Sequence, residues 1–573
     1  MQSASELHAG KPCTGKRHAC EPLAGKPVVI VGAGPVGLTT ALGCAQQGIP
    51  FVVIEDDARL SLDTKAGTTL SRTLEVWRRY GVADAMLRHA LRVDEIGDID
   101  RATQKSRNSV RLDVLGAESR YPFVINMPQH HMEPVLEAAV LATGMGEIRL
   151  GNRLVGFEQD GDGVRVKVLT AQGAVEIEAS YLLGCDGGRS TVRDLLGFTV
   201  EGDSEPERYA LVDLELDLDV ADRRDYPYLA YFADPVEWMI LVRHPHCWRF
   251  LFPLAPDVAE PSLNDLRAKA LSFVGAVSNV KALNKVVYRV HHRVANRWRE
   301  GRVFLLGDAA HLITPMWALG LNTGVQDASN LPWRLAWVMR GWAAAALLDG
   351  YEREQKPLAL DGSREMANAA RAYMQKQTQA AAAMTDNNWS NAYTRAMLGI
   401  RLDVEGRGES SMVKSESEPP VLMGDRLPDA LVHAPDGRET RIHDLCGDRF
   451  VALYFTDVRR RPSVPAASKA LAHYAVSRWD APMDSGLRDR ALLDVGGRFA
   501  RRLGVAPDTL VLVRPDEHIA AIAPLAPGVA ELLYAHVTGR PSAASGPSSV
   551  GGGCSLSSSD PSAVPAGHTS VPA

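Results

Sequence analysis

The chain has 573 residues, 46% of them hydrophobic and 23% charged, with a formal net charge of −6 at pH 7, so it is long enough for two or three globular domains. Its weak negative charge excludes nucleic acid as the expected partner, and without an apolar run of roughly 18 residues or an apolar leader segment we expect no membrane span and no signal peptide. Seven scattered cysteines without a CxxC pair argue against a zinc site or a disulfide framework, which predicts a cytoplasmic protein with no bound metal.

The first 400 residues predict a leader followed by one large α/β region. Residues 1–25 are expected to be disordered, and ordered structure is expected to begin with the β-branched run 26–31, which is typical of a buried parallel strand. Residues 208–255 predict consecutive strands, and hence an antiparallel sheet inserted at about residues 200–290. Residues 324–345 and 351–396, rich in Ala, Leu and Trp, predict helices.

The remainder predicts a linker, a second domain and a tail. Residues 401–420 are polar and rich in breakers, as linkers are. Residues 421–540 contain further strands and a helix (493–503), which indicates a separate α/β domain. The Ser-, Gly- and Pro-rich residues 541–573 cannot bury enough surface to fold.

A glycine-rich loop follows the first strand. In Gly32-Ala-Gly34-Pro-Val-Gly37 the first glycine permits a tight turn, the second lets the backbone approach a pyrophosphate, and the third lets the next helix pack closely. A second strand ends at Glu55, where a carboxylate can bind an adenosine ribose. The arrangement predicts a dinucleotide site and does not by itself choose between NAD and FAD.

Two later segments have the same strand-then-turn form. The strand beginning at Tyr181 ends before Asp186-Gly187, and the strand beginning at Arg302 ends before Gly307-Asp308. Each is an ordinary turn composition when taken alone. In this order and spacing they favour FAD.

With these three segments the chain resembles the single-component flavoprotein aromatic hydroxylases, in the branch of phenol and 3-(3-hydroxyphenyl)propionate hydroxylases, over roughly residues 26–400. The resemblance implies that the glycine loop binds the ADP half of non-covalent FAD, that Asp186 lies near FAD and the reduced nicotinamide, and that Asp308 holds the ribityl chain. It further assigns FAD contacts to Arg72 and Gln129. It implies NADH or NADPH as co-substrate and leaves that choice open.

The helix that starts near Gly320-Leu321-Asn322 is expected to contribute to flavin binding through its N-terminal end. Its N-terminal N–H groups and dipole would face the flavin pyrimidine edge, where negative charge develops on reduction. In this loop the family pattern is partly replaced, and we assign Pro315 and Trp317 to the substrate pocket.

A second departure concerns the base that ionises the phenol. The phenol hydroxylase branch has an aspartate where this chain has Gly67. Ring activation needs a base near the phenolic proton. The replacement candidates are Tyr228, Tyr231 and His292, together with the histidine pair 130–131.

The sequence therefore predicts an α/β protein with a Rossmann-like FAD-binding domain, an inserted antiparallel substrate sheet and a C-terminal thioredoxin-like domain without CxxC. Its predicted function is an NAD(P)H- and O2-dependent monooxygenase that hydroxylates a phenol or catechol through a flavin hydroperoxide, and a homodimer is an expected assembly. The alternative is a flavin-dependent reductase or dehydrogenase without oxygen transfer. A halogenase is disfavoured because no Trp-x-Trp-x-Ile-Pro segment is present, and a non-enzymatic binding protein would need vestigial flavin sites. Because every candidate FAD residue precedes the linker, removal of residues 421–573 is expected to leave flavin binding intact.

Overall fold

The structure is a computed structural model, and it describes most of the chain between residues 20 and 540. The described residues are 20–62, 67–221, 223–234, 237–314, 318–375, 402, 404, 421–434, 436–456, 467–478 and 490–540. The predicted tail, most of the predicted leader and all but two residues of the predicted linker lie outside them.

A six-stranded sheet contains the first predicted strand. Its order is β18-β19-β12-β1-β2-β8, and all neighbours are parallel except the edge pair β18–β19. Val-Val-Ile-Val in β1 is buried on both faces, which accounts for an uninterrupted β-branched run. The strands are β1 (Val28–Val31), β2 (Phe51–Glu55), β8 (Gly146–Leu150), β12 (Tyr181–Gly184), β18 (Arg299–Glu300) and β19 (Val303–Leu305).

Helices pack on this sheet and on each other. The helix after the glycine loop and the long helix beginning at Leu319 make the most extensive helix–helix contact of the described chain. In this part of the chain the helices are α1 (Pro35–Gln46), α2 (Ser71–Arg79), α3 (Ala83–His89), α4 (Gln129–Ala142), α5 (Thr191–Leu195), α6 (Leu263–Val274), α7 (Leu319–Met339), α8 (Asp349–Pro357) and α9 (Ser363–Met374).

An eight-stranded sheet occupies the region of the predicted insertion and extends beyond it. Its order is β20-β17-β13-β16-β15-β14-β5-β6, and it is antiparallel except where β14 pairs with β5. Strands from before and after the predicted range therefore complete it. They are β5 (Glu95–Ile99), β6 (Ser106–Arg111), β13 (Val200–Glu215), β14 (Leu229–Phe232), β15 (Met239–His244), β16 (Cys247–Leu254), β17 (Lys281–Ala295) and β20 (His311–Leu312).

The described chain also forms two small three-stranded sheets. One joins three antiparallel strands: β9 (Arg153–Gln159), β10 (Val164–Thr170) and β11 (Gly173–Ala179). The other joins β3 (Thr68–Thr69), β4 (Leu91–Val93) and β7 (Val124–Asn126). The second sheet holds the segment after Gly67 between the six-stranded and the eight-stranded sheets.

The C-terminal unit is a seven-stranded sheet in the order β22-β21-β25-β24-β23-β26-β27. Its strands and helices are β21 (Leu431–His433), β22 (Glu439–Arg441), β23 (Phe450–Thr456), β24 (Leu471–Ser477), β25 (Ala491–Leu493), β26 (Thr509–Val513), β27 (Ile519–Pro524), α10 (Arg498–Leu503) and α11 (Val529–Thr538). One face of this sheet is continuous with the core of the first region, because Phe450 packs edge-on against Trp333 and Trp337 of α7. The unit is therefore docked through a shared hydrophobic core.

Candidate functional site

Four polar segments lie at the carboxyl edge of the six-stranded sheet, each at or just after the end of a strand. Gly32 follows β1, Glu55 ends β2, Asp186 follows β12 and Asp308 follows β19. Because β2, β1, β12 and β19 are parallel neighbours in that order, these four ends share one edge. Ligands of open parallel sheets bind outside this edge. The geometry makes it the candidate site.

The glycines of the first loop are required by close backbone approach. Gly32 has φ of +104°, and a Cβ there would lie 2.4 Å from the carbonyl oxygen of Cys185. A Cβ at Gly37 would lie 2.0 Å from the carbonyl oxygen of Gly32. A Cβ at Gly34 would meet nothing within 4 Å. The first and third glycines therefore serve packing, whereas the space beside Gly34 is open to a ligand.

The adjoining helix end and Glu55 complete this part of the edge. Helix α1 has no side-chain cap at Gly34 and no acidic residue in its first turn, so its N–H groups and dipole favour an anion. The Glu55 carboxylate accepts hydrogen bonds from the backbone N–H of Ala33 (2.7 Å) and of Asp57 (3.1 Å). The predicted ribose-binding acid thus lies directly against the glycine loop.

The turn after β19 is fixed by a buried carboxylate on α7. The Gly307 N–H and the His311 imidazole both bond to one oxygen of Asp327, each at 2.8 Å. Gly307 has φ of +58°, and Asp308 is exposed between buried neighbours. The predicted ribityl-binding carboxylate therefore projects from a rigid turn at the candidate edge.

The N-terminal turn of α7 lies beside this edge and is held by Asn322. The helix starts at Leu319 after Ala318, whose φ of +57° lies in the left-handed region. The Asn322 carbonyl oxygen accepts from Leu70 N–H (2.9 Å) and the Thr73 hydroxyl (2.7 Å), and its amide donates to the carbonyl oxygens of Thr68 (3.1 Å) and Ala318 (2.6 Å). Asn322 therefore locks this helix to the segment after Gly67, and a cofactor contact from this turn falls to backbone N–H groups.

Asp186 serves its own helix. Its carboxylate accepts from the Ser190 hydroxyl (2.6 Å) and from Val192 N–H (3.1 Å), at the start of α5. Burial raises the pKa of Asp186, and these hydrogen bonds oppose that shift. The structure thus gives Asp186 a capping role at the same edge, and its predicted proximity to FAD and the nicotinamide stays a prediction.

Arg72 and Gln129 are both engaged with neighbouring acids. Arg72 is 2% exposed and donates to Glu517 (2.6 Å), to Glu75 (3.1 Å) and to the backbone oxygen of Asp516 (2.7 Å). Gln129, at the start of α4, donates to Glu133 (2.7 Å). Arg72 is thus buried and Gln129 begins a helix, and the FAD contacts of both stay predictions.

Arg72 belongs to a buried group of charges between α2 and the C-terminal unit, which we call the interdomain cluster. Its members are Arg72, Glu75, Arg78, Arg79, Arg426, His443 and Glu517.

The acids of the interdomain cluster are neutralised by several arginines. Burial alone would raise the pKa of Glu75, but the Arg426 guanidinium, at 2.5 Å, lowers it to about 2. Possible metal-ligand atoms of Glu75, His443 and Glu517 lie within 4.8 Å of one another. Ion pairs with arginines already neutralise the carboxylates of Glu75 and Glu517. We therefore interpret the arrangement as a structural network of ion pairs and not as a metal site.

Of the three predicted base candidates, Tyr231 and His292 lie in the eight-stranded sheet, and Tyr228 directly precedes β14. Tyr231 is 3% exposed within β14, and His292 bonds through its ring to the backbone oxygen of Leu360 (3.2 Å). Burial and the neighbouring Asp219 raise the pKa of Tyr228, which disfavours its phenolate form. Their catalytic role stays a prediction.

The paired histidines at the start of α4 are neutral. His130 and His131 pack edge to face with ring centroids 4.2 Å apart, and His131 also packs against His246. Burial is the main cause that lowers the pKa of His131 to about 4, and the repulsion that two protonated rings would exert on each other adds to the shift. The other two predicted pocket residues, Pro315 and Trp317, lie outside the described residues.

Sequence reasoning missed one polar group beside Gly67. His244 and the ion pair of Arg249 with Asp213 are buried next to that glycine. The available signal was a histidine at the end of a mostly apolar strand, Met-Ile-Leu-Val-Arg-His in β15. Without the pairing of β15 with β16 and the position of Gly67, this signal does not differ from that of an ordinary hairpin end.

Comparison with known proteins gives a consistent result. A family model described as FAD binding domain matches residues 26–364. The 12-dehydrotetracycline 5-monooxygenase/anhydrotetracycline 6-monooxygenase of Streptomyces rimosus is 33% identical over 352 residues, which cover 58% of this chain and 67% of that protein. A 3-(3-hydroxy-phenyl)propionate/3-hydroxycinnamic acid hydroxylase of Mycolicibacterium smegmatis is 34% identical over 341 residues, and the match spans 57% of this chain and 58% of that relative's length.

The structural likeness extends over nearly the whole chain. The crystal structure of aklavinone-11 hydroxylase in ternary complex with FAD and aklavinone is similar with a TM-score of 0.73 and 26% identity, covering 90% of this chain and 99% of that one. Among the described helices, none is long and apolar enough to cross a membrane.

Proposed function

The chain belongs to the FAD-binding-domain family of aromatic flavoprotein monooxygenases, and from this premise we propose that it uses NAD(P)H and O2 to hydroxylate a phenolic ring. The observation that supports the proposal most is the shared carboxyl edge of β2, β1, β12 and β19, where the glycine loop, Glu55 and Asp308 converge. The relatives are named as a monooxygenase and a hydroxylase. Their names support hydroxylation of an aromatic substrate over the alternative, a flavin-dependent reductase without oxygen transfer.

The residues of this edge fit FAD. The N-terminal turn of α1 offers unpaired N–H groups to the pyrophosphate, and Glu55 can accept from the ribose hydroxyls. The exposed Asp308 can accept from the ribityl hydroxyls. The N–H groups at the start of α7, around Gly320 and Leu321, can stabilise negative charge on the ring. When bound, FAD supplies the hydride and oxygen chemistry.

The protein's own contribution is binding, orientation and exclusion of water. The Asp327–Gly307 bond and the Asn322 bonds hold Asp308 and the start of α7 in fixed positions relative to each other. The small sheet that contains β3 lies between the N-terminal end of α7 and the eight-stranded sheet, and Asn322 of α7 bonds to Thr68 of β3. We propose that the aromatic substrate is held between this sheet and the α7 end, with Pro315 and Trp317 as pocket residues.

The proposal is tested with the purified holoenzyme and a defined set of phenols. Three compounds named for the relatives form the set: 3-(3-hydroxyphenyl)propionate, anhydrotetracycline and aklavinone. A monooxygenase oxidises NADH or NADPH in air and gives a product one oxygen atom heavier, with H2O2 release as the measure of uncoupling. A reductase gives no oxygenated product and reduces an electron acceptor equally well without air.

The C-terminal unit, location and assembly are separate proposals. We propose that residues 421–540 form a thioredoxin-like domain without redox function. Its Cys446 has no CxxC partner, and the surrounding protein raises the pKa of that thiol well above its ordinary value, which disfavours the reactive thiolate. A cytoplasmic location and a homodimer remain predictions, and sedimentation of the holoenzyme tests the second.

A further inference from the structure

Three histidines lie side by side where the start of α4 meets the hairpin of β15 and β16. The ring centroids of His130 and His131 are 4.2 Å apart, and those of His131 and His246 are 5.5 Å apart. His130 and His131 belong to the first turn of α4, whereas His246 lies in the turn between β15 and β16. These three residues, which we call the histidine cluster, therefore join two elements that are remote in the chain.

The backbone of both elements sets the spacing of the rings. Met132, the next residue of α4, is fully buried, which anchors the first turn of that helix. His244 pairs with Cys247 across the hairpin, so His246 lies at a tight tip. The side chain of His246 is exposed and can change its rotamer there. The positions of the rings are thus fixed, while the direction of the His246 ring can adjust.

The spacing of the rings suits a shared metal ion. An imidazole binds Zn²⁺ in the plane of its ring, through a nitrogen at about 2.0–2.1 Å, so two imidazoles on one ion have ring centroids about 4.5–5.5 Å apart. The separations of 4.2 and 5.5 Å in the histidine cluster are close to this range. Because His131 and His246 meet edge to face, the exposed His246 ring has to turn to aim a nitrogen at the common point.

The cluster also has a nitrogen without a partner. The Nδ1 atom of His130 is buried and has no hydrogen-bond partner among the described residues. Such atoms in folded proteins call for an explanation. Since the pKa of His131 is lowered to about 4, mainly by burial, a metal ion has no proton to displace from that ring at neutral pH.

The charges around the cluster do not prevent the binding of one cation. The histidines lower the pKa of one another because each protonated ring would carry its own charge. A single ion held between the rings is one charge, and the lone pair of each ring attracts it. Burial lowers the pKa of His130, Arg249 on β16 lowers it further, and Asp213 on β13 raises it. Arg249 and Asp213 form an ion pair at 2.8 Å, so their fields largely cancel.

We propose that the histidine cluster binds one divalent transition-metal ion of the kind that prefers imidazole, such as Zn²⁺. His131 and His246 are the ligands from the two elements, His130 is the third ligand, and water takes the fourth position. Mg²⁺ and Ca²⁺ prefer oxygen ligands and are not expected to bind. The ion ties the first turn of α4, where Gln129 is a predicted FAD contact, to the hairpin of the proposed substrate sheet. The prediction of no bound metal rests on the cysteines, and this site uses histidines alone.

The test is a calorimetric titration of the FAD-loaded full chain with Zn²⁺ at neutral pH in excess Mg²⁺. It compares the wild type with His131→Gln, His246→Gln and the control His536→Gln, which changes an exposed histidine on α11. We expect one Zn²⁺ per chain in the wild type and in the control. Changing a residue behind a metal ligand costs about 10- to 100-fold in affinity, so loss of a ligand should weaken binding at least ~10-fold.

Two outcomes of this titration overturn the inference. One is a wild type that binds no Zn²⁺, and the other is a His246→Gln variant that binds it as tightly as the wild type does. Because His246 is exposed at a hairpin tip, this variant is expected to fold even if His131→Gln does not.

Co²⁺ separates the histidine cluster from cysteines, which are competing ligands. Bound to imidazole and water, Co²⁺ gives visible absorption without the ultraviolet charge-transfer band of a cobalt thiolate. We expect the visible absorption in the wild type and in His536→Gln, and its loss in His246→Gln. A thiolate band of equal strength in the wild type and in His246→Gln, without absorption that depends on His246, would assign the ion to cysteines and overturn the inference.

Thermal unfolding measures whether the ion ties the folded elements together. An ion that binds only the folded chain raises its melting temperature, by about 2–5 °C at a concentration roughly 100-fold above the dissociation constant. We expect this rise in the wild type and not in His246→Gln, and an equal rise in both would contradict the proposed ligands. None of these measurements depends on turnover, so absence of an oxygenated product would refute the proposed function and leave the metal site standing.

Discussion

The FAD edge and the interdomain cluster place polar groups in opposite ways. At the edge, the α1 N-terminus has no side-chain cap and Asp308 is exposed. In the cluster, Glu517 is fully buried and contacts Arg72, Arg78 and Arg79 between 2.6 and 3.0 Å. Polar groups at the surface can be reached by a ligand, whereas groups that neutralise one another inside the protein stabilise its fold. The contrast predicts which changes affect FAD and which affect folding.

The largest effect is expected from removal of residues 421–573. The sequence predicts that flavin binding survives this truncation, but the structure leads us to the opposite expectation. Removal would take Glu517 away from Arg72 and Arg79, take Arg426 away from Glu75, and expose the face of Trp333 that packs on Phe450. Each broken buried pair costs about 3–5 kcal/mol, against a total stability of about 5–15 kcal/mol. We therefore expect an aggregated or unfolded chain by circular dichroism.

Removal of residues 541–573 alone is the matched control, and it should leave the melting temperature and the FAD content unchanged. A chain ending at residue 420 that folds and binds FAD as the full chain does would show that the cluster is dispensable.

Acid should destabilise the protein by protonating the buried carboxylates of Glu75, in the interdomain cluster, and of Glu354, which pairs with Arg334 and Arg514. Despite burial, Arg426 lowers the pKa of Glu75, and Arg334 and Arg514 lower that of Glu354, each from 4.5 to about 2. Because the folded-state pKa values lie below the unfolded ones, the stabilisation is present above about pH 5 and is lost as the pH falls toward 2. The loss is on the order of 3 kcal/mol for each carboxylate. Urea midpoints at pH 7, 5 and 3 measure it, and equal midpoints at pH 7 and 3 would contradict it.

Glu517→Ala tests a single member of the cluster. It leaves three arginines without their common acid, so we expect a loss of about 3–5 kcal/mol in the free energy of unfolding. Glu178→Ala removes an exposed acid that pairs with Lys26 at 2.8 Å, and its effect on the free energy of unfolding should be much smaller. Similar unfolding curves for the two variants would mean that burial of the cluster adds nothing to the free energy of unfolding.

Asp308→Ala tests the open edge. A charge-assisted hydrogen bond is worth about 1.5–3 kcal/mol, so the dissociation constant of FAD should rise about 10- to 150-fold. The stability of the FAD-free protein should change little, because Asp308 is exposed. Asp162→Ala, in the turn between β9 and β10, is the control. Equilibrium titration with FAD measures both variants, and an unchanged constant for Asp308→Ala would place that carboxylate outside the cofactor site.

Gly34→Ala should have the smallest effect on folding. The added methyl meets nothing within 4 Å, so the FAD-free protein should lose no more than about 0.5 kcal/mol of stability, yet the methyl group fills the space proposed for the pyrophosphate and should weaken FAD binding. Gly37→Ala is the counterpart, since its methyl would lie 2.0 Å from the Gly32 carbonyl oxygen and should destabilise the protein without FAD. Equal stability losses in the two variants would contradict the distinction between them.

The sequence predicts those parts of the site whose chemistry is local. Gly32, Gly34 and Gly37 lie within six residues, and the strand before them and the helix after them have patterns of their own, so the loop is visible without a structure. The β-branched run 26–31 likewise contains the buried parallel strand β1, as predicted.

What the sequence does not predict depends on long-range pairing. An arginine in a helix, such as Arg72, is expected from the sequence to lie at the surface. Its burial follows from its ion pair with Glu517, which lies 445 positions later. The position of His244 depends in the same way on Gly67, which lies far from it in the chain, directly before β3. Hydrogen bonds and ion pairs of this kind leave no periodic pattern, because either partner alone is unremarkable in its own segment.

The interdomain cluster also sets an order of events during synthesis. Helix α2 leaves the ribosome with Arg72, Arg78 and Arg79 hundreds of residues before Glu517 is made. Until the turn between β26 and β27 arrives, these three cations have to remain hydrated, and α2 cannot take its final buried position. The nascent chain therefore completes the neighbourhood of its N-terminal fold only after nearly all of the polypeptide has been translated.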